Sequence, residues 1–366
     1  MEFTIHTQVL LIVFGLAAVM GAVANKTNFC TMGAVSDWVN MEDTGRLRAW
    51  LLAAAVAMLG VAVLEASGKL ALGTATFPPY RTANFAWLRN LLGGLMFGIG
   101  MTLASGCGNK TLVRIGGGNL KSVVVLIIAG ASAYAMLWTD FYNTVFGKLI
   151  SATTINLATS GFQTQALGDF VGISTPIASI VVALGIIAYA LSSSEFRANF
   201  DNLLAGVVIG LIVVAGWYVT GGAMGNEWKE FAEFADTKPL RVETQSFTFI
   251  SAMGDGARYL MNPQDTSLVN FGIVALLGVI AGSLVWALIS RGFRIEWFVS
   301  GGDFINHAIG AVLMGIGGVL AMGCTVGQAI TGVSTLAVGS LLTFAAIVAG
   351  AAATMKYQYW RMMQEA

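Results

Sequence analysis

Gly98-Ile-Gly100-Met-Thr-Leu-Ala104-Ser-Gly106-Cys107 returns 217 residues later as Gly315-Ile-Gly317-Gly-Val-Leu-Ala321-Met-Gly323-Cys324. Seven of the ten positions are identical, and each copy closes an apolar, glycine-rich run with Gly-Cys. In a chain of 366 residues this offset predicts two structurally related halves, and two of the three cysteines take equivalent places in them.

The surroundings of these runs decide the class. Hydrophobic residues make up 56% of the chain and charged residues 10%, with a mean hydropathy of +0.76. A soluble domain carries about 25% charged residues. Nineteen basic and nineteen acidic side chains cancel, which argues against a nucleic-acid partner. The 45 glycines fit close helix packing in lipid. Three distant cysteines without Cys-x-x-Cys spacing indicate neither a disulfide framework nor a zinc site. The first apolar run lacks a basic n-region and an A-x-A site, so it is expected to stay as a span.

A membrane helix needs about 20 mostly apolar residues. The candidates are 8–24, 49–67, 91–106, 120–138, 175–192, 202–220, 268–290, 307–323 and 335–354. Short, glycine-interrupted segments at matching places in two halves point to broken helices around a buried site. The expected fold is therefore all-α. It is a polytopic membrane protein of about nine transmembrane helices in an inverted 4+1+4 repeat, with re-entrant or broken helices and buried loops at its centre. Residues 1–366 form one membrane domain. Within it, 1–138 is the first repeat, 139–200 an outer connection and connector helix, and 201–366 the second, inverted repeat. With the N-terminus outside, the inner loops carry Arg46, Arg48, Lys110, Arg114, Lys121, Arg197, Arg291, Arg294, Lys356 and Arg361. The longer outer loops carry Lys69, Arg81, Arg89, Lys148, Lys229, Lys238, Arg241 and Arg258. This bias sets the N-terminus outside and the C-terminus inside. In the second outer connection, Trp228 to Leu240 reads either as a helix on the membrane surface or as a solvated loop.

Two further breaks are expected after the first and sixth spans. Asn28-Phe29-Cys30 and Ser246-Phe247-Thr248 each offer a polar N-cap candidate, Asn28 and Ser246, ahead of a short apolar run. Superposed, they set Cys30 against Thr248. Broken backbone survives at membrane depth only where it is buried in protein or lines a wet cavity. A helix starting there aims free N–H groups and a partial positive charge at that cavity, which suits a small anion. Gly106, Gly108 and Gly323 allow close backbone approach. Buried cysteines are often plain small hydrophobes. Three at breaks, two of them symmetry-equivalent, favour a functional thiol set, since a thiol donates a weak hydrogen bond and is soft enough to meet sulfur. Asn109 and Lys110 follow Cys107 directly. Lys110 reads as an anion attractor or as an interfacial lysine, and Lys26 carries the same two readings. Thr325 and Gln328 follow Cys324 as lining or interhelical hydrogen-bonding groups. Apart from Glu65 and Asp255, near segment ends, no carboxylate falls in the candidate spans, so a proton or cation relay is disfavoured. Met96, Met101, Met314 and Met322 are read as core rather than as a soft-metal site.

Asn28-Phe-Cys30-Thr-Met-Gly33-Ala-Val, Ser105-Gly-Cys107-Gly-Asn-Lys110-Thr-Leu-Val-Arg114, Ser246-Phe-Thr248-Phe and Met322-Gly-Cys324 together resemble the YeeE/YedE family of bacterial sulfur-compound transporters, nearest to its thiosulfate-uptake branch. The resemblance runs along nearly the whole chain. It implies an hourglass-shaped, multi-pass protein of the bacterial cytoplasmic (inner) membrane that passes thiosulfate inward along Cys30, Cys107 and Cys324. No cofactor and no metal are expected, since Cys-x-x-Cys spacing, His clusters and membrane carboxylates are lacking. The family commonly works beside a small cytoplasmic sulfur carrier of the TusA/SirA type, and membrane lipid is the other partner. The expected site comprises the three cysteines with Asn28, Gly106, Gly108, Asn109, Lys110, Ser246, Thr248, Gly323 and Thr325. The competing readings are a membrane-embedded sulfurtransferase that forms a Cys persulfide, and a transporter of a selenium compound or a soft metal.

Overall fold

Apolar runs long enough to cross a bilayer become helices because lipid offers backbone N–H and C=O groups no other partner. The computed structural model describes residues 4–365 and bears this out. The first half contains α1 (Ile5–Lys26), α2 (Thr31–Met41), α3 (Gly45–Ala66), α4 (Trp87–Leu103), α5 (Gly108–Gly116) and α6 (Leu120–Trp138). The connection holds the short α7 (Lys148–Thr153) and α8 (Leu167–Val171), then α9 (Thr175–Leu191) and α10 (Ser194–Ala198). The second half contains α11 (Phe200–Gly221), α12 (Ala223–Phe234), α13 (Ile250–Met261), α14 (Phe271–Ile289), α15 (Gly301–Leu320) and α16 (Val338–Glu365). Among the described residues, eight helical stretches are long and apolar enough to cross a membrane, and α9 follows as a shorter apolar helix of 17 residues. The protein is an all-α polytopic membrane protein. Its periphery presents aliphatic side chains such as Leu11, Ile127, Val181 and Leu277, all more than half exposed, as a lipid-facing surface does.

The helices pack reciprocally. α1 lies along α14 as α11 lies along α3, and α4 packs on α16 as α15 packs on α6. α13 meets α6 as α2 meets α16, and α5 meets α14 as the π-type turn Val326–Gly332 meets α3. Exchanging the halves turns each contact into its counterpart. At the centre α4 and α15 cross closely enough to exclude side chains. A Cβ on Gly100 would sit 2.6 Å from the Gly310 carbonyl oxygen, and one on Gly310 would sit 2.6 Å from that of Gly100. Such backbone contact supplies van der Waals packing where lipid supplies no hydrophobic drive.

Among the described residues, strand structure is confined to two two-residue pairings and two single bridges. One pairing joins the halves: Thr76–Phe77 pairs in parallel with Thr244–Gln245, holding the loop after α3 beside the one before α13. Of the stretch from Trp228 to Leu240, residues 228–234 are helical as the end of α12 and residues 235–240 are not. The Trp228 side chain is fully buried and its indole N–H donates to His6 Nδ1 at 2.9 Å, which fastens α12 to α1.

Several sequence expectations are corrected. Neither Asn28 nor Ser246 caps a helix. Cys30 is the N-cap of α2 and Phe249 that of α13, while the Ser246 hydroxyl donates to the Val213 carbonyl at 2.8 Å. Asn28 belongs instead to the turn that ends α1, where its φ is +52°. Lys110 and Arg114 lie on α5 rather than in a solvated loop, and Arg89 sits in the first turn of α4. α16 runs eleven residues past the expected end at 354 because Lys356 and Arg361 continue the helix out of the apolar span.

Candidate functional site

Three helices stop in the same way just before a cysteine. At the end of α4, Gly106 N–H donates to Met101 O (2.8 Å) and Ser105 N–H to Thr102 O (3.2 Å). At the end of α15 the same pair recurs from Gly323 to Gly318 (2.8 Å) and from Met322 to Val319 (3.0 Å). At the end of α1 it recurs from Phe29 to Ala24 (3.1 Å) and from Asn28 to Asn25 (3.3 Å). This is the Schellman closure, which requires one left-handed residue. Asn28, Ser105 and Met322 fill that position with φ of +52°, +57° and +58°. In each case the cysteine stands two residues later and a new helical segment begins. The Cys30 sulfur accepts from Gly33 N–H, and the Cys324 sulfur from Gly327 N–H, both at 3.5 Å. Cys107 is the N-cap residue of α5 with extended backbone and no side-chain cap bond.

All three thiols are buried and unoxidised. The Cys30 and Cys107 side chains are neighbours, and the Thr325 side chain lies near Cys107. Cys324 closes in from the other half, its Cβ 3.6 Å from where a Gly108 Cβ would stand. The Cys107–Gly108 turn therefore lies between Cys30 and Cys324. Gly327 faces the Thr248 side chain so closely that a Cβ there would collide with the hydroxyl.

Thr31 Oγ1, Asn109 Oδ1, Thr248 Oγ1, Thr325 Oγ1 and Gln328 Oε1 are buried polar atoms without a hydrogen-bond partner. Buried polar atoms are nearly always paired, because leaving one unpaired costs about 1–3 kcal/mol. Each of these five belongs to one of the four breaks. The structure thus assembles the three cysteines with Gly108, Asn109, Thr248, Gly323 and Thr325.

Cations flank one side of this layer. Lys110 and Arg114 lie within electrostatic reach of Cys30, as does Arg46, which is paired with Asp37. Gly106 seats against the Lys110 stem, its would-be Cβ 3.3 Å from Lys110 Cγ. Lys110 Nζ donates to Asn28 Oδ1 at 3.3 Å, which puts Asn28 at the exposed rim. Lys26 is elsewhere: it pairs with Asp201 at 3.5 Å and stacks over Phe200 and Trp286. Ser246 also stays outside the layer, bound to α11. Sequence reading missed Thr31 and the cation pair of Arg46 and Arg114. Lys110 and Arg114 stand four residues apart on one helix, a spacing that places them on the same face. Thr31 carried no signal beyond following Cys30.

A cavity approaches the layer from each end. One of about 740 Å³ lies where α16 ends and reaches Met32 and Ser105, beside Cys30 and Cys107. Another of about 250 Å³ lies where α4 begins and reaches Ser251, Met322 and Gly323, beside Cys324.

A cavity on either side of a layer of helix starts, inside a polytopic helical bundle, fits a membrane transport protein. The chain belongs to the family described as Sulphur transport, whose family model matches residues 26–353. The thiosulfate transporter TsuA of Escherichia coli (strain K12) is 23% identical over 336 residues, covering 85% of this chain and 84% of its own. The thiosulfate transporter TsuA of Spirochaeta thermophila is 24% identical over 261 residues, covering 69% of this chain and 72% of its own.

Proposed function

We propose that the chain takes up thiosulfate across the bacterial cytoplasmic membrane, with its N-terminus outside, its C-terminus inside and its halves related as an inverted repeat. The observation that carries this reading is the thiol layer itself: Cys324, the Cys107–Gly108 turn and Cys30 in succession, with unpartnered polar atoms at all four breaks. The reciprocal packing of the halves supports the repeat. The names of the two relatives support the substrate.

Thiosulfate is a dianion with a soft terminal sulfur. Helix starts offer it N–H groups and partial positive charge. The hydroxyls of Thr31, Thr248 and Thr325 donate to it and gain a partner when it is present. The terminal sulfur accepts S–H hydrogen bonds from Cys324, then Cys107, then Cys30. Several weak stations permit release as well as entry. Lys110, Arg114 and Arg46 draw the anion toward the cavity beneath Cys30. A cytoplasmic sulfur carrier of the TusA/SirA type is the partner that fits this reading, and co-purification tests it.

The test is uptake, in membrane vesicles, of thiosulfate labelled separately in each sulfur. Equal entry of both labels, abolished by Cys107→Ala with normal insertion, is the expected result. Entry of the terminal sulfur alone means that a cysteine takes it as a persulfide and leaves sulfite behind. The protein is then a sulfurtransferase. Normal uptake by Cys107→Ala rejects the thiol layer as the path, and no protein-dependent uptake of either label rejects thiosulfate.

A further inference from the structure

The cavity beside Cys324 contains a guanidinium without a counter-ion among the described residues. Arg89 lines it together with Phe77, Met136, Tyr142, Ser251 and Met322, and none of the residues lining it is a carboxylate. Arg89 Nε is buried with no acceptor, and the terminal nitrogen donates to the Met322 sulfur, a weak acceptor. Other arginines at this end are provided for. Arg81 forms a two-pronged pair with Glu65 at 2.6 and 2.9 Å, and Arg241 another with Asp255 at 2.5 and 2.9 Å. Arg258 lies over the Trp138 ring at 3.8 Å. A buried cation is tolerated when an anion accompanies it, and Arg89 is half-buried with its Nε shut off from solvent. Among the described arginines at this end, Arg89 and Arg258 lack a carboxylate partner, and Arg258 has an indole face in its place.

We propose that Arg89 is the entry-side receptor for the transported oxyanion, a station ahead of the thiol layer. The inference rests on the transport reading given above. The planar guanidinium fork matches two oxygens of a tetrahedral oxyanion. Its Nε is already directed away from any protein acceptor, and its hold on the Met322 sulfur is exchanged for the stronger charged bond. Met322 is the left-handed residue two positions before Cys324. An anion whose oxygens engage Arg89 therefore has its remaining substituent beside the Gly323–Cys324 turn. For thiosulfate this orientation presents the terminal sulfur to the first thiol. Sulfate meets the same fork but offers the thiol no soft atom, so selection falls to the cysteines and capture to Arg89.

The experiment is equilibrium binding of labelled thiosulfate to the purified full chain, with sulfate as competitor, beside uptake in vesicles. Loss of a charged bidentate contact predicts that Arg89→Gln weakens binding about 10- to 100-fold. Arg89→Lys keeps the charge without the fork and is expected to fall between. It is the variant to read if Arg89→Gln does not yield folded protein. Sulfate should displace thiosulfate from the Cys107→Ala protein, where the receptor is intact. Wild-type affinity in both arginine variants overturns the receptor. If those variants take up thiosulfate with unchanged half-saturation while Cys107→Ala is inactive, the receptor is wrong and the transport reading stands. If Arg89-dependent binding is found without any uptake, the receptor stands and the transport reading falls. No binding by the wild type overturns both.

Discussion

An unpaired hydroxyl at the centre of a membrane protein is a cost with no structural return, and Thr248 and Thr325 are two such groups. Replacing Thr325 by the isosteric Val removes the unpaired oxygen and keeps the volume. Thermal unfolding in detergent is expected to show stability unchanged or raised by about 1 kcal/mol, while thiosulfate uptake slows about tenfold. A drop in stability instead would mean that the hydroxyl serves the fold. The cysteines divide in a similar way. The Cys30 sulfur caps the start of α2 through Gly33 N–H. Serine preserves an acceptor there, and alanine loses a cap worth about 1 kcal/mol. Cys30→Ser should therefore unfold at the wild-type temperature, and Cys30→Ala somewhat lower, with both defective in uptake. A Cys30→Ser variant that transports normally would show that an oxygen replaces the thiol, and that softness is irrelevant at this station.

At the scale of the element, the repeated device is a Schellman closure followed by a cysteine and a new helix start. Its left-handed position is held by residues that bear a Cβ, at a cost of roughly 1–2 kcal/mol each. Ser105→Gly should stabilise the α4 end by up to about 1 kcal/mol in thermal unfolding. Ser105→Val, with a branched Cβ in the same conformation, should destabilise it by more. Equal unfolding temperatures for the two variants would show that the turn relaxes out of the left-handed region. The crossing of α4 and α15 has no such latitude, since backbone atoms face backbone atoms at Gly100 and Gly310. Gly100→Leu is expected to abolish recovery of folded protein in size-exclusion chromatography. These closures were only half legible. Residue type alone favours Asn28 and Ser246 as N-caps, whereas neighbouring helix ends decide which way the chain turns. The Asn28 side chain lies at the rim against Lys110, and Ser246 ties its loop to α11.

At the scale of the whole molecule, the helices and the loop charges give an orientation that a reporter can check. A C-terminal fusion active only in the cytoplasm should be active here, and one active only outside should be silent. The reverse outcome would invert the direction of uptake and exchange the roles of the two cavities. Some properties of this protein follow from the chain alone. Composition and apolar length dictate membrane helices, because lipid enforces internal hydrogen bonding whatever the neighbours. The repeated Gly-Cys run marks the equivalent breaks, and the cysteines identify themselves by scarcity and position. Which side chains meet is a different matter. The apposition of Cys30 with Cys107, the cavities above and below them, and the unpaired atoms of Thr31 and Asn109 depend on contacts between residues far apart in the chain. Arg89 shows the difference most clearly. In sequence it is one basic residue before an apolar run, no different from Arg81. In the folded protein Arg81 meets Glu65 and Arg89 meets no carboxylate among the described residues, because pairing of charges is set by which helix ends come together in space.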